Sequence, residues 1–230
     1  MGDSYTIYFM LAGGLSMLGS WFSNRLKSKF DHYSRMATSS GMSGGEVAVE
    51  MLRQNNVSGV RIVQGEGFLT DHYNPMTKTV TLSPAVYQGR HISAAAVAAH
   101  ECGHAIQHAT GYPFLQTRSA LVPFVKAASK IQGVLLVFAL MLASTMPVLL
   151  LVVVIAFAVT TAFSLITLPV EFNASSRALK WLETSGITTP SEQDGAEDAL
   201  WWAAMTYVAG ALSSLVILAY LLFNYMSSRR

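Results

Sequence analysis

Apolar and polar positions along the chain fall into blocks. Tyr5 to Phe22 is apolar and carries no charge, so residues 5–23 are read as a first transmembrane helix. Asp31 to Gln88 is the most polar stretch. Within it, Ser43 and Glu46 stand in S-x-x-E spacing, a capping box that opens a helix running to about Asn55. Gly59 to Gln64 alternates like a strand, and Lys78 to Leu82 (KTVTL) reads as its partner, joined through DHYNPMT with the turn signal Asn74-Pro75. Ala94 to Ala109 is rich in strong helix formers, with Ser93 as an expected N-cap and Gly111 as an expected stop. Tyr112 to Lys130 is an amphipathic approach carrying Arg118, Lys126 and Lys130. Ile131 to Val170 then runs forty residues without a charge. One span needs about 20 residues, so 131–169 predicts a hairpin of two helices, bending at Ser144-Thr145-Met146-Pro147 because proline disfavours helix just before it. Residues 170–198 are polar again, and Leu200 to Tyr225 predicts a fourth span.

Composition supports this reading. Apolar residues make up 52%, charged residues 12%, and mean hydropathy is +0.39, the profile of a membrane protein. A net charge of +2 excludes nucleic acid as an expected partner. Thirteen of the fifteen Lys and Arg lie either between the first and second spans or between the third and fourth. Those two segments are therefore expected on the cytoplasmic side, with the N-terminus outside. The predicted spans hold essentially no ionisable residues, which argues against transport.

The chemistry sits at AAHECGHAIQ, where His100, Glu101 and His104 stand in H-E-x-x-H spacing. On a helix, positions four apart share a face, so both imidazoles can reach one ion while Glu101 is placed to hold a water. Two imidazoles, a third protein ligand and one open position make a catalytic zinc site, in which Glu101 would act as general base. For the third ligand there are two candidates. His108 continues the spacing, but a rigid helix rises roughly 6 Å over four residues, so three such histidines cannot converge on one ion. Glu171, in LPVEFNASSRAL, follows the predicted hairpin on the same side of the membrane and is favoured, which gives a His100, His104, Glu171 set for one Zn2+ per chain. Donors for a developing oxyanion, or substrate contacts, are sought among His72, Tyr73, His108, Tyr112 and Arg177, and sequence does not rank them. Cys102, the single cysteine, lies off the ligand face and reads as a small helix residue.

Three separated blocks, HECGHAIQH, LPVEFNASSRAL and the upstream LTDHYNPMTKTVTLSPAVY, resemble the YugP-type neutral zinc metallopeptidases of bacterial membranes, and the likeness covers nearly the whole chain. More distantly, the chain resembles the HtpX-type and CAAX prenyl membrane proteases. In those families a glutamate in an E-F-x-A-D block supplies the third ligand, a role that maps to Glu171. This chain has Ser175 at the aspartate of that block and Asn173 where YugP-like proteins usually have aspartate. Neither is an anion, so neither can orient a histidine as a carboxylate partner would.

Together these readings predict a mainly α membrane protein. Four transmembrane helices would carry a small α+β, zincin-like (gluzincin-like) cytoplasmic catalytic portion over residues 24–130, with the H-E-x-x-H helix at 94–109 and the third ligand in 170–198. The expected function is a multi-pass zinc metalloendopeptidase of the bacterial cell membrane. It would hydrolyse peptide bonds of protein or peptide substrates, membrane proteins among them, at the cytoplasmic face. The competing class is a non-catalytic membrane scaffold or adaptor stapled by zinc, in which Glu101 would have no purpose. Sequence specifies neither a homo-oligomer nor a partner protein.

Overall fold

The computed structural model describes residues 2–142 and 145–228. In chain order the elements are α1 (Gly2–Tyr33), α2 (Gly44–Gln54), β1 (Arg61–Gln64), β2 (His72–Asn74), β3 (Thr79–Leu82), α3 (Pro84–Tyr87), α4 (Ile92–Ala109), α5 (Pro113–Met141), α6 (Pro147–Thr184) and α7 (Pro190–Ser227). They divide into two compact units. One comprises the chain up to Phe22, Thr117–Leu168 and the chain from Thr206 onward; the other comprises Ser23–Gln116 and Pro169–Met205.

The first unit is helical and apolar. Ala139 and Leu140 of α5 pack with Leu150, Val153 and Phe157 of α6 and Leu221 of α7. Polar ties cross the same helices: Gln132 donates to Thr160 Oγ1 at 2.8 Å, and Thr161 Oγ1 donates to the Ser214 carbonyl at 3.2 Å. Among the described residues, three helices, α5, α6 and α7, are long and apolar enough to cross a membrane. This corrects the expectation of four spans. Although α1 is helical throughout, Gly13, Gly14, Ser16, Gly19 and Ser20 dilute its hydropathy, and it is not among the three. In the expected hairpin, α5 ends at Met141 and α6 opens at Pro147, where the fixed φ of proline suits a first helical position. Of the expected bend, Ser144 lies outside the described residues. The segment expected as an approach, Tyr112 to Lys130, is part of α5 itself from Pro113 onward. Likewise α6 continues without a break past Glu171 to Thr184.

The second unit has a mixed core. Val47, Ala48 and Met51 of α2 pack with the alanine-rich face of α4, beside Val80 and Leu82 of β3 and Ala178 and Leu182 of α6. The capping box is present: Ser43 N–H donates to Glu46 Oε2 at 2.7 Å, and Glu46 N–H donates to Ser43 Oγ at 3.3 Å. The sheet departs from expectation. β1 and β3 are partners, but they run parallel, and the connection between them holds a third strand, β2, antiparallel to β3, giving the order β1-β3-β2. The turn from β2 to β3 follows Asn74, whose Oδ1 accepts from Met76 N–H and Thr77 N–H at 2.9 and 3.3 Å.

Asp71 ties this sheet to the rest of the unit, since its Oδ1 accepts from the Ser83 N–H at 2.7 Å just before α3. Ser83 is buried, so Asp71→Ala strands a buried donor. We expect a loss of about 1–3 kcal/mol, read as an earlier thermal unfolding transition of the detergent-purified protein, with Asp71→Asn intermediate.

Candidate metal centre

Backbone chemistry frames α4 at both ends. The expected N-cap, Ser93, instead donates from Oγ to the Phe30 carbonyl at 2.8 Å. The cap is His91, whose Nδ1 accepts from the Ala94 N–H at 3.1 Å. Burial lowers the pKa of His91, which keeps that nitrogen unprotonated and able to accept. At the other end Gly111 adopts a φ of +65°. The Tyr112 and Gly111 N–H groups return to the Gln107 and His108 carbonyls at 2.9 and 3.2 Å. This is a Schellman stop, and it needs the left-handed backbone that glycine supplies.

Between these ends α4 presents His100 and His104 one turn apart, their rings edge to face with centroids 4.8 Å apart. Glu171 of α6 meets both: its Oε2 lies 3.3 Å from His100 Nε2 and 3.4 Å from His104 Nε2. Each of the three residues offers one ligand atom within 4.8 Å of the others. Glu171 is 2% exposed and His104 8%. The close approach of α4 and α6 is made possible by Gly103, where a Cβ would stand 2.6 Å from the Ala174 carbonyl oxygen.

The outer ring nitrogens are held by neutral partners. His100 Nδ1 lies 3.1 Å from Ser175 Oγ, and His104 Nδ1 lies 3.0 Å from Gln107 Oε1. Gln107 is fully buried, and its Nε2 donates to the Val170 carbonyl at 2.8 Å and to Asn173 Oδ1 at 3.0 Å. A carbonyl only accepts, so this bond fixes which way the amide faces. Gln107 Oε1 must then accept from His104 Nδ1–H, and a neutral His104 turns a bare Nε2 lone pair toward the Glu171 carboxylate. Two acceptors at that distance call for a cation or a proton between them. Burial, the largest influence on His104, lowers its pKa; Glu171, with smaller help from Glu101 and Gln107, outweighs it, and the pKa is raised.

The donor set suits zinc. Four-coordinate zinc holds nitrogen and carboxylate ligands at roughly 2.0–2.1 Å, which sets tetrahedral ligand-to-ligand edges of about 3.3 Å. The two nitrogen-to-oxygen separations match that edge.

Of the second-shell candidates, Ser175 reaches His100 directly, whereas Asn173 acts through Gln107 and also accepts from Arg177 Nε at 2.8 Å. Gln107 is not among the candidates read from the sequence, although its spacing three residues after His104 places the two on one helix face. Among the candidate substrate contacts, Tyr73 OH and His108 Nδ1 are brought together at 2.8 Å. His72 Nδ1 pairs with the Thr70 carbonyl at 2.8 Å, and Tyr112 OH donates to the Pro169 carbonyl at 3.4 Å. These bonds go to groups other than the three donors. Glu101 is buried beside the pair of histidines. Cys102 is fully buried with its Sγ directed at the Ala48 carbonyl, and burial pushes its thiol pKa up.

No solved structure matches the chain. A curated relative, "Putative membrane protease YugP" of Bacillus subtilis (strain 168), is 41% identical over 212 residues, covering 92% of this chain and 93% of the relative. A family model described as "Putative neutral zinc metallopeptidase" matches residues 7–226. With a match of that extent from both directions, the chain belongs to this neutral zinc metallopeptidase family.

Proposed function

We propose that the protein is a membrane-embedded zinc metalloendopeptidase that cleaves protein substrates, membrane proteins among them, at the cytoplasmic face. The observation that carries the reading is the convergence of Glu171, from a separate helix, on the Nε2 atoms of both H-E-x-x-H histidines. His100, His104 and Glu171 would hold one zinc per chain. Bound there, zinc supplies a Lewis acid and lowers the pKa of a water to about 7. Glu101 takes the proton of the attacking water and delivers it to the departing amine. Gln107 and Ser175 keep the two imidazoles in the orientation that leaves Nε2 inward. His108, one helical turn beyond His104, and Tyr73 of β2, to which it is already bonded, are favoured as donors toward the substrate oxyanion. The three apolar helices support a membrane setting, and the distribution of Lys and Arg supports the cytoplasmic side.

Glu101→Gln tests the assignment. Cleavage of labelled casein by the detergent-purified protein is expected to fall by about 10²–10⁴-fold, with zinc content unchanged. Retained cleavage would remove Glu101 as the base. Stoichiometric zinc in a parent protein that cleaves nothing would favour the scaffold reading.

A further inference from the structure

Within the second unit, α6 and α7 form an antiparallel pair tied by Gln193 Nε2 donating to the Leu179 carbonyl at 2.9 Å. A groove of about 410 Å³ runs along this pair. Its floor is buried and includes Leu200, Ala204 and Ser175, the partner of His100. Its two ends differ in chemistry. One is bordered by Phe172 and Trp201, exposed at 40% and 55%. In the chain, this is the end from which both helices continue into their apolar segments. Lys180 and Glu183 border the other end, and Glu197 lines the groove one helical turn before Trp201; none of these three makes an ion pair among the described residues. Exposed charges ordinarily rest in water. Here charges of both signs, unengaged with each other, line a groove that is aromatic and apolar at one end.

We propose that this groove is a binding site for a phospholipid whose headgroup carries both a phosphate and an ammonium. Lys180 faces the phosphate, Glu183 and Glu197 face the ammonium, and the start of the acyl chains lies along Phe172 and Trp201. Charge complementarity selects such a headgroup over a purely anionic one, because a phosphate without an ammonium would stand among two carboxylates with one lysine to offset all three. Trp201 suits the position twice over. Its ring is amphipathic and favours the boundary between headgroup and tail, and its face attracts a quaternary or primary ammonium. The proposal takes its membrane setting from the function proposed above, but binding in detergent is independent of zinc and of proteolysis.

The test uses the full chain in detergent and three dihexanoyl lipids: phosphatidylethanolamine, phosphatidylcholine and phosphatidylglycerol. Thermal melting is followed against lipid concentration. The two headgroups with both charges are expected to raise the Tm saturably and to bind at least about tenfold more tightly than phosphatidylglycerol, the effect of roughly one ionic contact. In Glu183→Gln/Glu197→Gln, which changes only exposed side chains, that preference should vanish. Lys180→Met should weaken all three lipids. Equal binding of the three by the parent, a preference for phosphatidylglycerol, or a preference that survives the double substitution would each overturn the proposal. Displacement of the lipids by a short apolar peptide at lower concentration would reassign the groove to substrate.

Discussion

Glu171→Ala is expected to leave the purified protein without zinc and without proteolytic activity. Loss of an outer partner of a ligand typically costs 10–100-fold in metal affinity, and removal of a ligand itself should exceed about 100-fold. The substitution takes away the one anion of the set, leaving two neutral imidazoles on one helix. His108→Ala is the contrasting variant: His108 is bonded to Tyr73 rather than to the three donors, so zinc should remain at the parental level. Zinc per chain, measured by atomic absorption after dialysis, reads both. Stoichiometric zinc in Glu171→Ala would place the third ligand elsewhere.

Substituting Gly103 should do comparable damage without touching a donor. A Cβ at this position would lie 2.6 Å from the Ala174 carbonyl oxygen and 3.1 Å from its Cα. Both are backbone atoms, so no side-chain rotation relieves the contact and α6 itself must move away. Glu171 and Ser175 lie within a turn of Ala174, and they move with it. We expect Gly103→Ala to cost about 1–3 kcal/mol, the range for overpacking in a well-filled core, with weakened zinc affinity. Gly103→Val should fail to accumulate as folded protein. Gly133→Ala is the control. Nothing lies within 4 Å of a Cβ built there, and alanine is the better helix former, so stability should hold or rise. Zinc binding by Gly103→Ala equal to that of the parent would refute the claim that this contact sets the position of Glu171.

The parts of this molecule that sequence reveals are those set by local rules. The capping box at Ser43 and Glu46, the Gly111 stop and the shared face of His100 and His104 follow from spacing and backbone preference alone. Glu171 could be nominated because it opens the polar segment directly after the apolar run, on the side expected for the histidines. The pairing of β1 with β3 is legible, but the third strand is not, because β2 is three residues long, too short for alternation to register, and with β2 in the connection β1 and β3 run parallel. Ser93 looked like a cap on residue type, but a hydroxyl near a helix start goes to whichever partner packing brings, here the Phe30 carbonyl. Gln107 was overlooked because its role depends on Val170 and Asn173, which arrive from another helix. The first helix shows the limit of counting: absence of charge marked Tyr5 to Phe22 as a span, whereas its glycines and serines leave it less apolar than the other three.

The proposed metal donors come from two helices far apart in the chain, and this orders events during synthesis. Glu171 emerges from the ribosome about 70 residues after His104, a delay of roughly 3–14 s at 5–20 residues per second. Throughout that interval the H-E-x-x-H helix exists with two of its three donors and without the Ala174 backbone against which Gly103 packs. On the proposed function the nascent chain would be born inert, and hydrolytic competence would appear only once the last two long helices are being made.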